Sequence, residues 1–431
     1  MLSYLIRASG NYLYVSFFQS EPNLITNDLT YSKGGKERMF SKKSVRLSMA
    51  VIVMALLLVA CGDTATPVPA ATTAASATTT AAAAATTAPA AAGGSTADFS
   101  AAKGCMKIGV LLPETDSSAR WEANDRPGLT KDIQTNIPGA TIDYYNANNN
   151  AATQQTQAET ALTKGDCILV VAAKDSAAAS VIVDKAKAQK VPVIAYDRLI
   201  QSNDLAYYVS FDNVRVGELQ GQYVVDHHKK GDNIVMINGA QTDNNALLFK
   251  KGALNKLQPL IDSKEITLLF DTFTPDWNNA TAQTEMEGAL TKANNNVQIA
   301  YVANDGMAST VIAALKAQKL NGKVLVTGQD ATVTGIQNIL TGDQGMTVYK
   351  AIPLETKATA DLVKALSAGS DTSAMTKGST TKTSGGADVP SVLAVPIAVD
   401  KSNVADTVIK DNFVKKEDVC KGLSAGTGGV C

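Results

Sequence analysis

A chain of 431 residues has room for two or three domains with full cores. Its 39 basic and 40 acidic side chains leave a net charge of -1, which gives no field for a polyanionic partner such as a nucleic acid. The only two histidines are adjacent, His227 and His228, which argues against a His-rich metal centre or a multi-histidine catalytic site. Neither metal nor cofactor is expected.

Residues 1–38 sit awkwardly before a compact export signal, so translation is expected to start at Met39, with 1–38 a mis-assigned extension. Lys42, Lys43 and Arg46 form a basic start, and an uncharged apolar run, Leu47 to Ala60, follows. That run is short of the ~20 apolar residues that span a bilayer and suits a secretory signal over 39–60. It closes in Leu57-Leu58-Val59-Ala60-Cys61-Gly62, which resembles the bacterial lipoprotein box. The resemblance implies cleavage before Cys61 and a lipid on its sulfur, with the protein held on the outer face of the cytoplasmic membrane. The following segment to residue 102 is rich in Ala, Thr and Pro and lacks a hydrophobic period, so a disordered tether is expected.

From Lys107 the pattern becomes periodic. MKIGVLLP (106–113) is a short apolar run of the kind buried on both faces of a parallel sheet. A helix is expected over 120–135, a strand over 140–147, a helix over 152–164, a strand over 167–173 and a helix over 176–189. VPVIAYD (191–197) and YYVSFD (207–212) are the next strands. The alternation restarts with strands at 233–239, 266–272, 297–305 and 323–330, and closes with MTVYK (346–350) and VPSVLAVPIAVD (389–400). Alternation at this spacing implies parallel sheets covered on both faces. Two successive sets of domain size favour two similar doubly wound α/β lobes over one eight-fold barrel. Residues 371–388 carry no hydrophobic period and are expected to form a polar loop.

Four cysteines follow Cys61: Cys105, Cys167, Cys420 and Cys431. An even number in an exported chain permits disulfides, and the spacings fit neither a CxxC redox pair nor a zinc pattern. In a sheet of order 2-1-3 the first and third strands are parallel neighbours, so Cys105 and Cys167, near their starts, fall within bonding reach. Cys420 and Cys431 would then staple the C-terminal tail.

Ligands of open α/β sheets bind beyond the carboxyl ends of the strands, and here those ends are polar. They carry Ser118-Ala119-Arg120-Trp121 with Asp125-Arg126, Tyr196-Asp197-Arg198, Thr242-Asp243-Asn244-Asn245, Pro275-Asp276-Trp277, Asn304-Asp305, Gly328-Gln329-Asp330 and Lys350. Carboxylates and amides accept from hydroxyls, Arg and Lys donate to them, and an indole face covers the C–H surface of a sugar ring. The inventory suits a neutral polyhydroxy ligand. Any single Asp or Asn after a strand is equally a turn former or helix cap; recurrence in both sets carries the reading.

From about Lys107 to Val419 the chain resembles the periplasmic sugar-binding proteins of ABC transporters, the ribose/galactose type, and its xylose-binding branch most of all. The similarity lies in KIGVLLP, ARW with Asp125-Arg126, AYDRLI, YYVSFDN, VGELQ, GAQTDNNA, ANDGMA, GQDA and MTVYK, in that order. It implies the type I periplasmic binding protein fold: two Rossmann-like lobes joined by a three-strand hinge near Ser210–Asn213, Thr347–Ala351 and Ala394–Ala398. An N-terminal lobe of 103–211 and 351–394 and a C-terminal lobe of 212–350 and 395–431 are then expected. By the same resemblance Arg120, Asp197 and Arg198 would hold sugar hydroxyls, with Trp121 against the ring. Asn245, Asn304 and Asp330 would act from the other lobe, with Trp277 stacking and Lys350 reaching in from a crossing strand. Asp243 has a rival role as a helix cap. The stretch before ARW, PETDSSA, departs from the xylose-binding pattern and leaves the sugar open among xylose, ribose, glucose, arabinose and galactose.

The expected function is therefore a lipid-anchored, monomeric receptor that captures a monosaccharide and hands it to a membrane permease. A sugar-acting enzyme would need a free acid, and Arg198 and Lys350 beside Asp197 and Asp330 hold those carboxylates ionised. A sugar-responsive repressor would need an N-terminal helix-turn-helix where this chain has a signal and a tether.

Overall fold

The computed structural model describes residues 2–8, 11–17, 29–33, 36–38, 98–115 and 118–431. The expected start at Met39, the export signal, Cys61 and the tether up to residue 97 lie outside the described residues. Strands β1 (Leu2–Ala8), β2 (Asn11–Phe17), β3 (Leu29–Lys33) and β4 (Lys36–Arg38) form an antiparallel meander in that order, in a unit distinct from the body.

The body is built on two parallel sheets. The first holds β5 (Lys107–Leu112), β6 (Thr141–Asn146), β7 (Ile168–Val171), β8 (Val193–Tyr196) and β9 (Tyr207–Phe211), in order β6-β5-β7-β8-β9. Helices α1 (Arg126–Asn136), α2 (Ala151–Thr163) and α3 (Ser180–Ala188) connect them. Their short apolar runs serve two cores by period two. Leu111, Leu169, Val171 and Ala195 enter one core, while Val110, Ile168, Val170 and Ile194 enter the other.

The second sheet repeats the plan with β10 (Asp232–Asn238), β11 (Ile266–Phe273), β12 (Ile299–Val302) and β13 (Leu325–Val326), in order β11-β10-β12-β13. Around it run α4 (Asn213–His227), α5 (Asn244–Asp262), α6 (Asn279–Lys292), α7 (Asp305–Ala317) and α8 (Val333–Thr341). The chain passes from the first sheet to the second after Phe211. Beyond β14 (Met346–Tyr349) it returns as α9 (Ile352–Ala368), which packs on α1 through Thr356–Asp132 at 2.7 Å and Asn136–Asp361 at 2.9 Å. Strands β15 (Thr380–Lys382) and β16 (Asp388–Ala394) extend the first sheet beside β9, and β17 (Ile397–Asp400) goes back to pair antiparallel with β14.

Strand β5 lies between β6 and β7, as order 2-1-3 requires. The Cys105–Cys167 bond closes the start of β5 on β7 with 5.7 Å between Cα atoms, and Cys420–Cys431 closes the tail at 5.3 Å. Gln337 on α8 holds that tail by donating to the carbonyls of Asp418, Val419 and Lys421.

Four expectations need correction. The ordered body begins before residue 103: Ser100–Ala102 form a tight turn and Ala102 is buried. Residues 371–388 are not a bare loop but contain a short helix, Ser373–Thr376, and β15. That edge strand pairs by its backbone, Thr380 and Lys382 face solvent and only the polar Thr381 turns inward, onto Ser391, so no hydrophobic period marks it. The run 389–400 is two strands, broken at Val395-Pro396, where proline has no N–H for a ladder. Of 323–330 only Leu325–Val326 is strand, and the rest turns into the site.

The Cys105–Cys167 bond spans 62 residues, and in the chain-entropy account its removal costs about 4 kcal/mol. Guanidinium unfolding of the Cys105→Ser/Cys167→Ser protein should show a loss of about 2–4 kcal/mol. Unchanged midpoints would show that the bond adds nothing to stability.

Candidate functional site

The carboxyl ends of the two sheets face one another, and the loops leaving them enclose one cavity. Its volume is about 30 Å³ in this closed arrangement. All ten ligand candidates from the sequence line it. Arg120 and Trp121 open the helical segment after β5, whose first turn, Trp121–Asp125, is π-helical and runs into α1, and Asp197 and Arg198 come from the end of β8. Asp243 and Asn245 open α5, Trp277 follows β11, Asn304 precedes α7, Asp330 follows β13, and Lys350 follows β14. Ser118, Phe249 and Gln329 complete the wall.

The charges are paired before any ligand arrives. The Arg120 guanidinium donates twice to Asp125 (2.9 and 2.6 Å), once to Asp197 (2.7 Å) and once to Glu355 (3.0 Å). Asp197 accepts from Asn245 of the facing side at 3.0 Å and lies 3.3 Å from the Lys350 ammonium. Lys350 also reaches Asp330 at 3.6 Å, and Ser118 donates to Asp330 at 3.1 Å across the cleft. Arg198 joins Asp243 at 2.9 Å and Glu114 at 3.2 Å. The indole N–H of Trp121 donates to Glu114 and that of Trp277 to Asp243, while both guanidiniums lie within 5.1 Å of the Trp121 ring centre. Burial opposes ionisation of Asp197, yet Arg120, Lys350 and Arg198 around it hold its carboxyl well below the usual range. Burial pushes Asp243 up despite Arg198. It pushes Glu355 up strongly, with the charge of Asp197 adding to the effect.

Asp243 and Asn304 each do two things. Asp243 caps α5 through one oxygen, accepting from the Asn245 N–H, and serves Arg198 and Trp277 with the other. Asn304 caps α7 through the Met307 N–H and lines the cavity as well. The cap and ligand readings therefore do not compete. Outside the cavity, Lys174 after β7 meets Asp276 at 2.8 Å, and Ser176 bonds Thr242 and Asn244, so the rim is held shut.

Several positions carry left-handed backbone that non-glycine residues avoid: Asp197 (φ 59°), Asp276 (57°), Trp277 (55°), Asp330 (101°) and Ala331 (50°). Each such residue costs about 1–3 kcal/mol and persists where its surroundings over-determine it. Trp277 packs so closely on Gly239 that a Cβ there would lie 2.1 Å from the ring.

Sequence reasoning missed Phe249, Glu114 and Glu355. Phe249 reads as one more apolar residue on an amphipathic helix. Glu355 lies 235 residues from its Arg120 partner, and only the packing of α9 on α1 brings it under the site.

Asp305, next to Asn304, braces the Asp330 loop from below. Its carboxylate accepts from Gln344 (2.8 Å), Thr347 (2.8 Å) and the Thr332 N–H (2.8 Å), in a pocket that a Cβ at Gly328 would invade at 2.2 Å. Burial, with the charge of Asp330 adding to it, pushes the Asp305 carboxyl up to about 7 from 3.8. The folded protein keeps a proton there that the unfolded chain has released. Its contribution is complete below the unfolded value and is lost as pH rises through the folded one. The stability of the parent relative to Asp305→Asn should therefore fall between about pH 4 and about pH 7 in urea unfolding and level off above. A pH-independent difference would rule this out.

A family model described as a periplasmic binding protein domain matches residues 108–371. The D-xylose-binding periplasmic protein of Escherichia coli is 38% identical over 314 residues, covering 73% of this chain and 92% of that protein. The multiple sugar-binding periplasmic receptor of Rhizobium radiobacter is 34% identical over 344 residues, covering 74% and 94%. Among solved structures, the carbohydrate transporter solute binding protein of Chloroflexus aurantiacus, in complex with D-glucose, superposes with a TM-score of 0.66. It is 28% identical, and the alignment covers 72% of this chain and 97% of that one. The chain therefore belongs to the periplasmic binding protein family and has its type I α/β fold.

Proposed function

We propose that the protein is an extracytoplasmic receptor that captures a neutral monosaccharide, with D-xylose the expected ligand, for an ABC transporter. The observation that carries this reading is the balance inside the cavity: three cations, Arg120, Arg198 and Lys350, face three carboxylates, Asp197, Asp243 and Asp330. A charged ligand would upset that balance. A sugar fits it, because each hydroxyl both donates and accepts, and Trp121 and Trp277 supply flat apolar faces for the ring. Arg120, Trp121, Asp197, Arg198, Asn245, Trp277, Asn304, Asp330 and Lys350 are the proposed contacts, with Asp243 holding Arg198 and Trp277 in place.

The two sheet-based lobes would open about the three passages between them, and sugar would select the closed state by binding it more tightly. Lipidation at Cys61 would hold the receptor at the membrane, where it acts as a monomer and passes its sugar to the permease. The curated relatives are named as binding receptors rather than enzymes. Asp197, held ionised by its cationic neighbours, is a poor general acid. A second reading within the class, D-glucose, is favoured by the glucose complex of the Chloroflexus relative.

Calorimetry of the purified protein with D-xylose, D-glucose, D-ribose, L-arabinose and D-galactose tests the proposal. Binding of D-xylose ahead of the others is expected; no binding of any would overturn the receptor reading. Asp330→Asn should weaken the preferred sugar by about 100-fold, the loss of a charge-assisted hydrogen bond in a closed site. Unchanged affinity would remove Asp330 from the contact set.

A further inference from the structure

Eleven of the polar or indole side chains on the cavity wall are tied to protein partners, as described above. Gln329 differs. It is 3% exposed and lines the cavity, yet its Oε1 is buried without a partner and its amide donates to no group among the described residues. The backbone around it is pinned. Its carbonyl accepts from the Asp305 N–H at 2.9 Å, the Gly328 carbonyl from Val348, and the Asp330 N–H reaches Val348 at 2.9 Å. The side chain is thus fixed at its root and idle at its tip.

Burying an amide unpaired opposes folding, and an apolar residue of similar length would fill the space without that cost. An amide retained here makes physical sense if something entering the cavity completes it. Its carbonyl accepts and its NH2 donates, the complement of one hydroxyl that gives its proton and receives another. Resting on the monosaccharide reading above, we infer that Gln329 is a specificity-determining contact that reads one sugar hydroxyl as donor and acceptor. Ligands without that hydroxyl leave the amide unpaired and are rejected, the strongest kind of discrimination open to a binding site.

The test uses the whole purified protein and its Gln329→Met and Gln329→Ala variants, titrated calorimetrically with D-xylose, D-glucose and the monodeoxy analogues of whichever sugar binds. The parent should bind one deoxy analogue about 20-fold or more weakly than the sugar itself. Gln329→Met should bind the sugar that much more weakly but lose nothing further with that analogue. Its ligand-free melting temperature should equal or exceed the parent's. Affinity within twofold of the parent overturns the assignment. So does equal weakening for every analogue together with a lowered ligand-free melting temperature, the mark of a structural role. If the parent binds no sugar at all, the receptor reading falls first and this contact with it.

Discussion

Asp197 is a fully buried carboxylate that stays ionised, and that can hold only while its partners stay in place. Arg120 comes from the β5 turn, Lys350 from the exit of β14, and Asn245 from the start of α5. The Asp197 carbonyl meanwhile takes hydrogen bonds from Tyr208, Ser210 and Asn245. One residue therefore joins the first sheet, the second sheet and a passage between them. Removing any partner would leave a charge in a medium that cannot solvate it, a much larger penalty than the net worth of the pair. Arg120 is held in turn by Asp125 and Glu355, and three carboxylates on one guanidinium leave a surplus of negative charge. Burial first, and then the negative charge of Asp197, raises the affinity of Glu355 for a proton.

Rigidity at the strand ends follows from the same requirement. A buried ion pair tolerates little displacement, so the loops that present it must be fixed, even in conformations they would not choose. Asp197, Trp277 and Asp330 all sit in left-handed backbone. Each is clamped by a neighbour that does not line the cavity: Ser210 for Asp197, Gly239 for Trp277, Val348 for Asp330. The parallel sheets behind the site supply the stiffness that holds these conformations.

The legible part of this molecule is the part in which neighbours along the chain are neighbours in space. Ile168–Val171 reads as a buried strand because all four positions are apolar, and all four are buried. The polar residues after each strand stand out because they interrupt such runs abruptly, and the β/α alternation points them to one side. What could not be read arises from distance or from exposure. Glu355 looks like an acidic residue in the first turn of a surface helix until α9 folds under Arg120. Thr380–Lys382 forms a strand with Thr380 and Lys382 in solvent and the polar Thr381 turned inward, so its evidence lies in the backbone alone. Asp243 and Asn304 look like caps, and they are; both residues also line the cavity. Only the enclosed geometry shows that the two roles coexist.

The charge pairing also divides labour within the cavity. Arg120, Arg198, Asp197, Asp243, Asp330 and Lys350 are already bonded to one another, so on the proposed reading a sugar hydroxyl would meet groups whose positions are set. Such a framework orients any polyol but distinguishes sugars only through angles and distances. The Gln329 amide, without a protein partner among the described residues, would behave differently, because its hydrogen-bonding capacity would wait on the ligand. On the proposed reading the ionic network would set the frame, and discrimination would fall to the amide that the frame leaves unsatisfied among the described residues.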